Sequence, residues 1–224
     1  MSSQRSKNAS KTYNKLNDRE HVLERPGMFI GGHKSIKKEQ LVFDSKSNKI
    51  VNKEIDIVPG LFKIYDEIIV NARDHYLESK IEKKEPVTKI QIKVNKEEGW
   101  ISVLNDGHGI PIVKHDTFQV YIPEMIFGEL RSSSHYSQKG KEEKRLTGGL
   151  NGYGAKLTNI FSKEFIVETV DKNEKLYFKQ TYKNNMSEKG TPIIKEYTKK
   201  TSYTKITFYP DFEYFGLSGF NDDY

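Results

Sequence analysis

The chain has 224 residues, a formal net charge of +6, 35% hydrophobic and 12% aromatic residues, and no cysteine. That apolar and aromatic content excludes a wholly disordered chain and suffices for a core, and the absence of thiols excludes a disulfide framework or a thiolate-held metal. No apolar run approaches the ~20 residues of a membrane helix, and the opening MSSQRSKNASK lacks the apolar stretch of a secretory signal, so an intracellular chain with no membrane partner is expected.

Residues 1–20 are polar without hydrophobic periodicity and read as an N-terminal arm, with residues 21–224 as the folded domain. Residues 34–58 are lysine-rich, with scattered strand-like pieces such as Gln40–Asp44. After Pro59-Gly60, Leu61, Ile64, Ile68 and Ala72 recur at helical spacing, which predicts a helix to about Lys80. Ile90, Ile92 and Val94 alternate, a Lys96–Gly99 turn follows, and Ile101 and Val103 resume the alternation: a β-hairpin. It runs into the loop NDGHGIP. Pro123 suits the first turn of a short helix reaching Leu130. Residues 131–147, rich in serine, glycine and lysine, read as a mobile loop, and TGGLNGYGAKLTNIFS as a glycine loop entering a helix. Strands are expected at Glu164–Val170, Leu176–Tyr182, Pro192–Tyr197 and Tyr203–Tyr209. Consecutive strands, not strands alternating with helices, argue for an α+β two-layer sandwich with a mostly antiparallel sheet and against a Rossmann sheet.

Three segments carry chemistry. In DEIIVNARD, Glu67, Asn71 and Asp74 share one helical face. A carboxylate there can serve as a general base, and an amide oxygen one turn away suits Mg²⁺, a hard cation that takes few protein ligands beside phosphates. Taken alone, an ordinary solvated face explains the pattern better. In Asn105-Asp106-Gly107-His108-Gly109-Ile110-Pro111 the glycines permit close backbone approach to a ligand, and Asn105 can read a base edge, although a plain turn explains the segment equally well. His108 and His115 read as ordinary loop histidines. In Thr147-Gly148-Gly149-Leu150-Asn151-Gly152-Tyr153-Gly154-Ala155-Lys156, glycines precede a helix whose N–H groups and dipole can hold phosphate, with Lys156 as a point charge. This is not a Walker A loop, since Leu157 stands where serine or threonine is required.

The order of these segments resembles the GHKL ATPase superfamily. VPGLFKIYDEIIVNA, IPEMIFGEL, TGGLNGYGAKLTNIFSKEFIVET, FKQTYKNNM and ITFYPDF look like the N-terminal ATPase domain of eukaryotic-type type IIA DNA topoisomerases, over about Tyr13–Phe212. The resemblance implies ATP and Mg²⁺ as ligands. It implies Glu67 as the base that activates water, Asn71 as the metal ligand and Asn105 as the adenine contact, in a nucleotide site that also takes in Asp74, Gly107, Gly109 and Ile110. Ser133 and Ser134 would touch ribose and phosphate. Asn151, Gly152, Tyr153, Gly154, Ala155 and Lys156 would form the phosphate loop, and Tyr13 would reach the nucleotide of the other subunit. It further implies a homodimer closing on ATP binding, and DNA as the partner of the full-length enzyme. The setting would be the nucleus of a eukaryotic cell, or an infected cell or virion for a viral source. The net charge of +6 suits DNA or a polyphosphate, although lysines spread without a dense cluster also read as solubilising residues.

Leu150 stands where the family has arginine, His135 replaces an asparagine, Arg73 replaces a small residue, and His75 follows Asp74. Family members continue into a transducer domain whose lysine contacts the γ-phosphate and, far downstream, a DNA-cleaving tyrosine. The transducer lysine and the cleaving tyrosine are not in these 224 residues, so slow or no turnover is expected of this chain by itself. A MutL-type repair ATPase and a non-catalytic nucleotide-fold module that binds DNA are the competing readings.

Overall fold

A computed structural model describes residues 15–81, 85–130, 132 and 153–221. The elements are α1 (Asp18–Glu24), a 3₁₀ turn (Pro26–Met28), β1 (Ile36–Asp44), β2 (Lys49–Ile57), α2 (Pro59–Ile81), β3 (Ile90–Asn95), β4 (Trp100–Asp106), α3 (Ile122–Gly128), α4 (Gly154–Ile160), β5 (Ser162–Asp171), β6 (Leu176–Lys183), β7 (Glu188–Lys189), β8 (Ile193–Glu196) and β9 (Tyr203–Pro210). Helix α1 begins inside the stretch expected to be an arm. Asn17 accepts from the Glu20 amide while the Glu20 carboxylate accepts from the Asn17 amide, a reciprocal cap that lets a polar sequence start a helix.

Strands β1 and β2 pair over nine residues each as a separate hairpin, where only scattered strand pieces were expected. The main sheet runs β3-β4-β9-β5-β6-β7, with β8 also on β6, and its pairings among the described residues are antiparallel. This is the expected α+β sandwich.

Register decides where the core lies, because side chains of paired residues stand on the same face. One row across the sheet is Ile101, Phe208, Phe165 and Tyr182; the next is Val103, Ile206, Val167 and Gln180. All eight are buried, and the helices cover them. Helix α2 contributes the predicted stripe Leu61, Ile64, Ile68 and Ala72. Each such side chain contributes about 1.5–3 kcal/mol through burial. A third row starts with the polar Asn105, Thr204 and Thr169 and runs on to Phe178. The sheet thus changes character at one end, and the loop after β4 starts there. Among the described residues no helix is long and apolar enough to cross a membrane.

Candidate functional site

Helix α2 carries the first group of candidate residues. Glu67 is partly buried, and its Oε1 accepts from Lys63 Nζ at 2.6 Å, one turn earlier. Lys63 also lies 3.4 Å from Asp66. The hydrogen bond to Glu67 holds the Lys63 ammonium above the ordinary lysine range, against the opposing effect of burial. The other carboxylate oxygen faces the start of α4: a Cβ built on Gly154 would lie 2.1 Å from Glu67 Oε2. Only glycine fits there without displacing the carboxylate. Residues 87 positions apart in the chain are therefore brought into contact, uniting the first and third predicted segments. Asn71 is exposed on the same helix, and among the described residues nothing bonds its side chain. Asp74 is buried, with Oδ1 3.5 Å from the neighbouring Arg73 guanidinium.

The loop after β4 is seated by close approach. Gly107 has φ +98°, and a Cβ there would meet Val87 Cγ2 at 2.8 Å. A Cβ on Gly109 would lie 1.8 Å from the Val170 carbonyl oxygen. The Ile110 amide donates to Thr169 Oγ1 at 3.2 Å, in the polar part of that third row. Asn105 is 6% exposed and its Nδ2 lies 2.7 Å from His75 Nδ1. His75 Nε2 in turn lies 3.0 Å from His108 Nδ1. His108, expected to be an ordinary loop histidine, is half-buried against α2. Thirty-three residues separate the two rings, so no local spacing could reveal the pair. His115 is a loop residue as expected: its Nδ1 accepts from the Thr117 amide.

At α4, Tyr153 precedes the helix and Ala155 is buried within it. Lys156 was expected to stand as a point charge toward phosphate. It is 2% exposed, and its Nζ donates to the Ser132 carbonyl at 2.6 Å. Burial pulls its pKa down to about 8, with Glu129 opposing. Two buried bonds and one partly buried bond anchor the surroundings: Thr158 Oγ1 donates to the Ile64 carbonyl of α2, Asn159 Nδ2 to the Phe127 carbonyl of α3, and Asn185 Nδ2 to the Ile160 carbonyl. Tyr13, Ser133, Ser134, His135, Leu150, Asn151, Gly152 and the expected mobile loop over 131–147 lie outside the described residues, apart from Ser132.

Residues 57–213 match the family described as histidine kinase-, DNA gyrase B-, and HSP90-like ATPase. The chain belongs to that family. Within it, the chain is 45% identical over 217 residues to DNA topoisomerase 2 of Candida glabrata, covering 97% of this chain and 15% of the relative. It is 46% identical over 219 residues to DNA topoisomerase 2 of Plasmodium falciparum, covering 98% and 15%. The solved ATPase region of Saccharomyces cerevisiae topoisomerase II superposes with a TM-score of 0.88 at 45% identity, covering 96% of this chain and 55% of that one. The chain is thus an ATPase domain of the eukaryotic type II topoisomerase kind, and it spans about 15% of the length of these relatives. These relatives support the topoisomerase reading over a MutL-type repair ATPase or a non-catalytic module.

Proposed function

We propose that this domain binds ATP with Mg²⁺ between α2 and the start of α4, hydrolyses it with Glu67 as general base, and in a full-length homodimeric topoisomerase couples the resulting closure to passage of one DNA duplex through another. The observation that carries the reading is the contact between Gly154 and the Glu67 carboxylate, which supports reading Glu67 as a base beside a phosphate-binding segment. A nuclear setting follows from the same reading.

Phosphoryl transfer needs positioning and charge stabilisation more than covalent chemistry. Lys63 holds Oε1 of Glu67, and Oε2 is left toward Gly154, where an attacking water can be oriented and its proton accepted. Asn71 fits a Mg²⁺ ligand: it offers an exposed amide oxygen one turn beyond the base, and a cation that keeps waters and phosphates needs few protein groups. Mg²⁺, when bound, supplies neutralisation of phosphate charge. The family resemblance assigns Gly107, Gly109 and Ile110, with Asn105 and Asp74, to the nucleoside end; the packing of Gly107 on Val87 and of Gly109 on the Val170 carbonyl supports this by fixing the loop. Lys156 can serve the phosphates from α4 once its ammonium leaves the Ser132 carbonyl. Tyr13, Ser133, Ser134, Asn151 and Gly152 keep the roles that the family resemblance implies, with Tyr13 acting across the dimer. Contact with DNA would be weak, sequence-independent and salt-sensitive, given a net charge of +6 without a dense basic cluster.

The test is paired. Glu67→Gln keeps the shape and loses the proton acceptor, so ATP affinity should stay near wild type while hydrolysis falls about 10²–10⁴-fold. Asn71→Ala should weaken Mg²⁺-dependent ATP binding as well as turnover. Calorimetric titration of ATP, with single-turnover phosphate release measured in the full-length enzyme, reads both. Near-normal turnover in Glu67→Gln rejects the assigned base.

A further inference from the structure

We propose that His75 is the positioning residue for base selection: with His108 behind it, it fixes the polarity of the Asn105 amide so that the site offers a lone acceptor to the nucleobase, favouring an exocyclic amino group over a carbonyl at that point. On the ATP reading above, this selects adenine over guanine.

Counting protons fixes the polarity of the amide. Asn105 Nδ2 is 2.7 Å from His75 Nδ1 and 3.0 Å from the Asp106 carbonyl oxygen. A carbonyl only accepts, so the NH₂ end of the amide faces it and the reversed amide would set oxygen against oxygen. One amide hydrogen goes to Asp106, and the second goes to His75. His75 Nδ1 therefore accepts, which puts the hydrogen of the neutral ring on Nε2. That hydrogen is directed at His108, whose Nδ1 and Nε2 lie 3.0 and 3.2 Å away, with the rings crossing at 78°. The relay runs one way, from Asn105 to His75 to His108. Both hydrogens of the Asn105 amide are consumed inside the protein, and among the described residues nothing donates to its Oδ1. Asn105 is the last core-facing residue of β4, at the polar start of the third row, where the sheet meets the loop that would face the nucleoside. Its oxygen can accept from the 6-amino group of adenine and repels the 6-carbonyl of guanine.

The experiment measures ATP and GTP affinity for the wild-type chain, His75→Leu and His75→Asn, with ring-nitrogen NMR of His75 in the nucleotide-free wild type. Asparagine places an acceptor oxygen where Nδ1 stands; leucine does not. Expected are a preference for ATP in the wild type, its loss by about tenfold or more in His75→Leu, and its retention within about twofold in His75→Asn. The His75 ring should be the neutral Nε2–H tautomer. An unchanged ATP/GTP ratio in His75→Leu, an equal loss of both nucleotides in both variants, or an Nδ1–H tautomer overturns the proposal. If His75→Leu does not fold, the tautomer and the His75→Asn ratio decide. Failure of the wild type to bind ATP would reject the ATP reading itself, separately from a wild type that binds ATP with a ratio indifferent to His75.

Discussion

Replacing Gly154 by alanine separates function from stability. The new methyl would start 2.1 Å from Glu67 Oε2 and 3.1 Å from its Cδ. Ordinary contact needs about 3.5 Å, so one of the two must give by more than about 1 Å. Gly154 opens a helix whose next residues are all buried, whereas the carboxylate sits at the end of a flexible side chain. The carboxylate therefore moves. That costs little in folding: Glu67 makes its bond to Lys63 at a partly exposed position, and alanine gains up to about 1 kcal/mol of helix propensity over glycine. Thermal unfolding should shift by no more than about 4 °C. Catalysis is less tolerant, since a displacement of about 1 Å in a reacting group can cost about 10²-fold. In the full-length enzyme, single-turnover phosphate release should fall by that order while ATP affinity stays within a few-fold. In a Glu67→Gln background the same substitution should add almost nothing, because the group it displaces no longer works. Hydrolysis at the wild-type rate in Gly154→Ala, or an additive loss in the double variant, would refute the link between this glycine and the base.

Gly109→Ala should behave in the opposite way. Its Cβ would meet the Val170 carbonyl oxygen at 1.8 Å, backbone against backbone, so no side chain can yield; a loss of about 3 kcal/mol or more is expected in denaturant unfolding, and a loss under 1 kcal/mol contradicts the packing. Lys156→Met tests the buried ammonium. Above about pH 8 the folded lysine has shed a proton that the unfolded chain still binds, so wild-type stability should gain up to about 1.4 kcal/mol per pH unit from this group between roughly pH 8 and 9.5. The methionine variant should lack that rise. The window stops short of pH 10, where unfolded tyrosines ionise while Tyr177, held up by burial and its bond to Glu168, keeps its proton. Finally, ATP affinity of the wild type should depend on Mg²⁺ and that of Asn71→Ala should not; equal affinity with and without Mg²⁺ in the wild type removes the metal role.

What the sequence disclosed depended on whether burial followed a period. The α2 stripe and the strands around Phe165, Phe178 and Phe208 alternate or recur because one face is covered, and they were legible within a residue or two. The β1–β2 hairpin was seen only in part. Leu41, Phe43 and Ile50 are exposed, and Ile55 alone of its residues is buried, so no alternation marks it. Strand β7 is two residues long and left no pattern. At the site, helical spacing put Glu67 and Asn71 on one face, but their roles, like that of Gly154 in its loop, rested on the family resemblance. The contact between Gly154 and Glu67, the inward turn of Lys156 and the pairing of His75 with His108 are tertiary facts, each joining residues at least 24 positions apart.

The short helix α4 has a mechanical consequence. It is seven residues long, yet its Thr158 and Asn159 side chains are bolted to carbonyls of α2 and α3, and its own Ile160 carbonyl is held by Asn185. Unscrewing it by even a fraction of a turn would shear all three at once, and each of the two buried ones would leave a polar atom stranded at a cost of about 1–3 kcal/mol. A push delivered at Gly154 is therefore not absorbed locally. It is passed on stiffly to two longer-range neighbours, so that the three helices answer as one lever, with the sheet as its fulcrum.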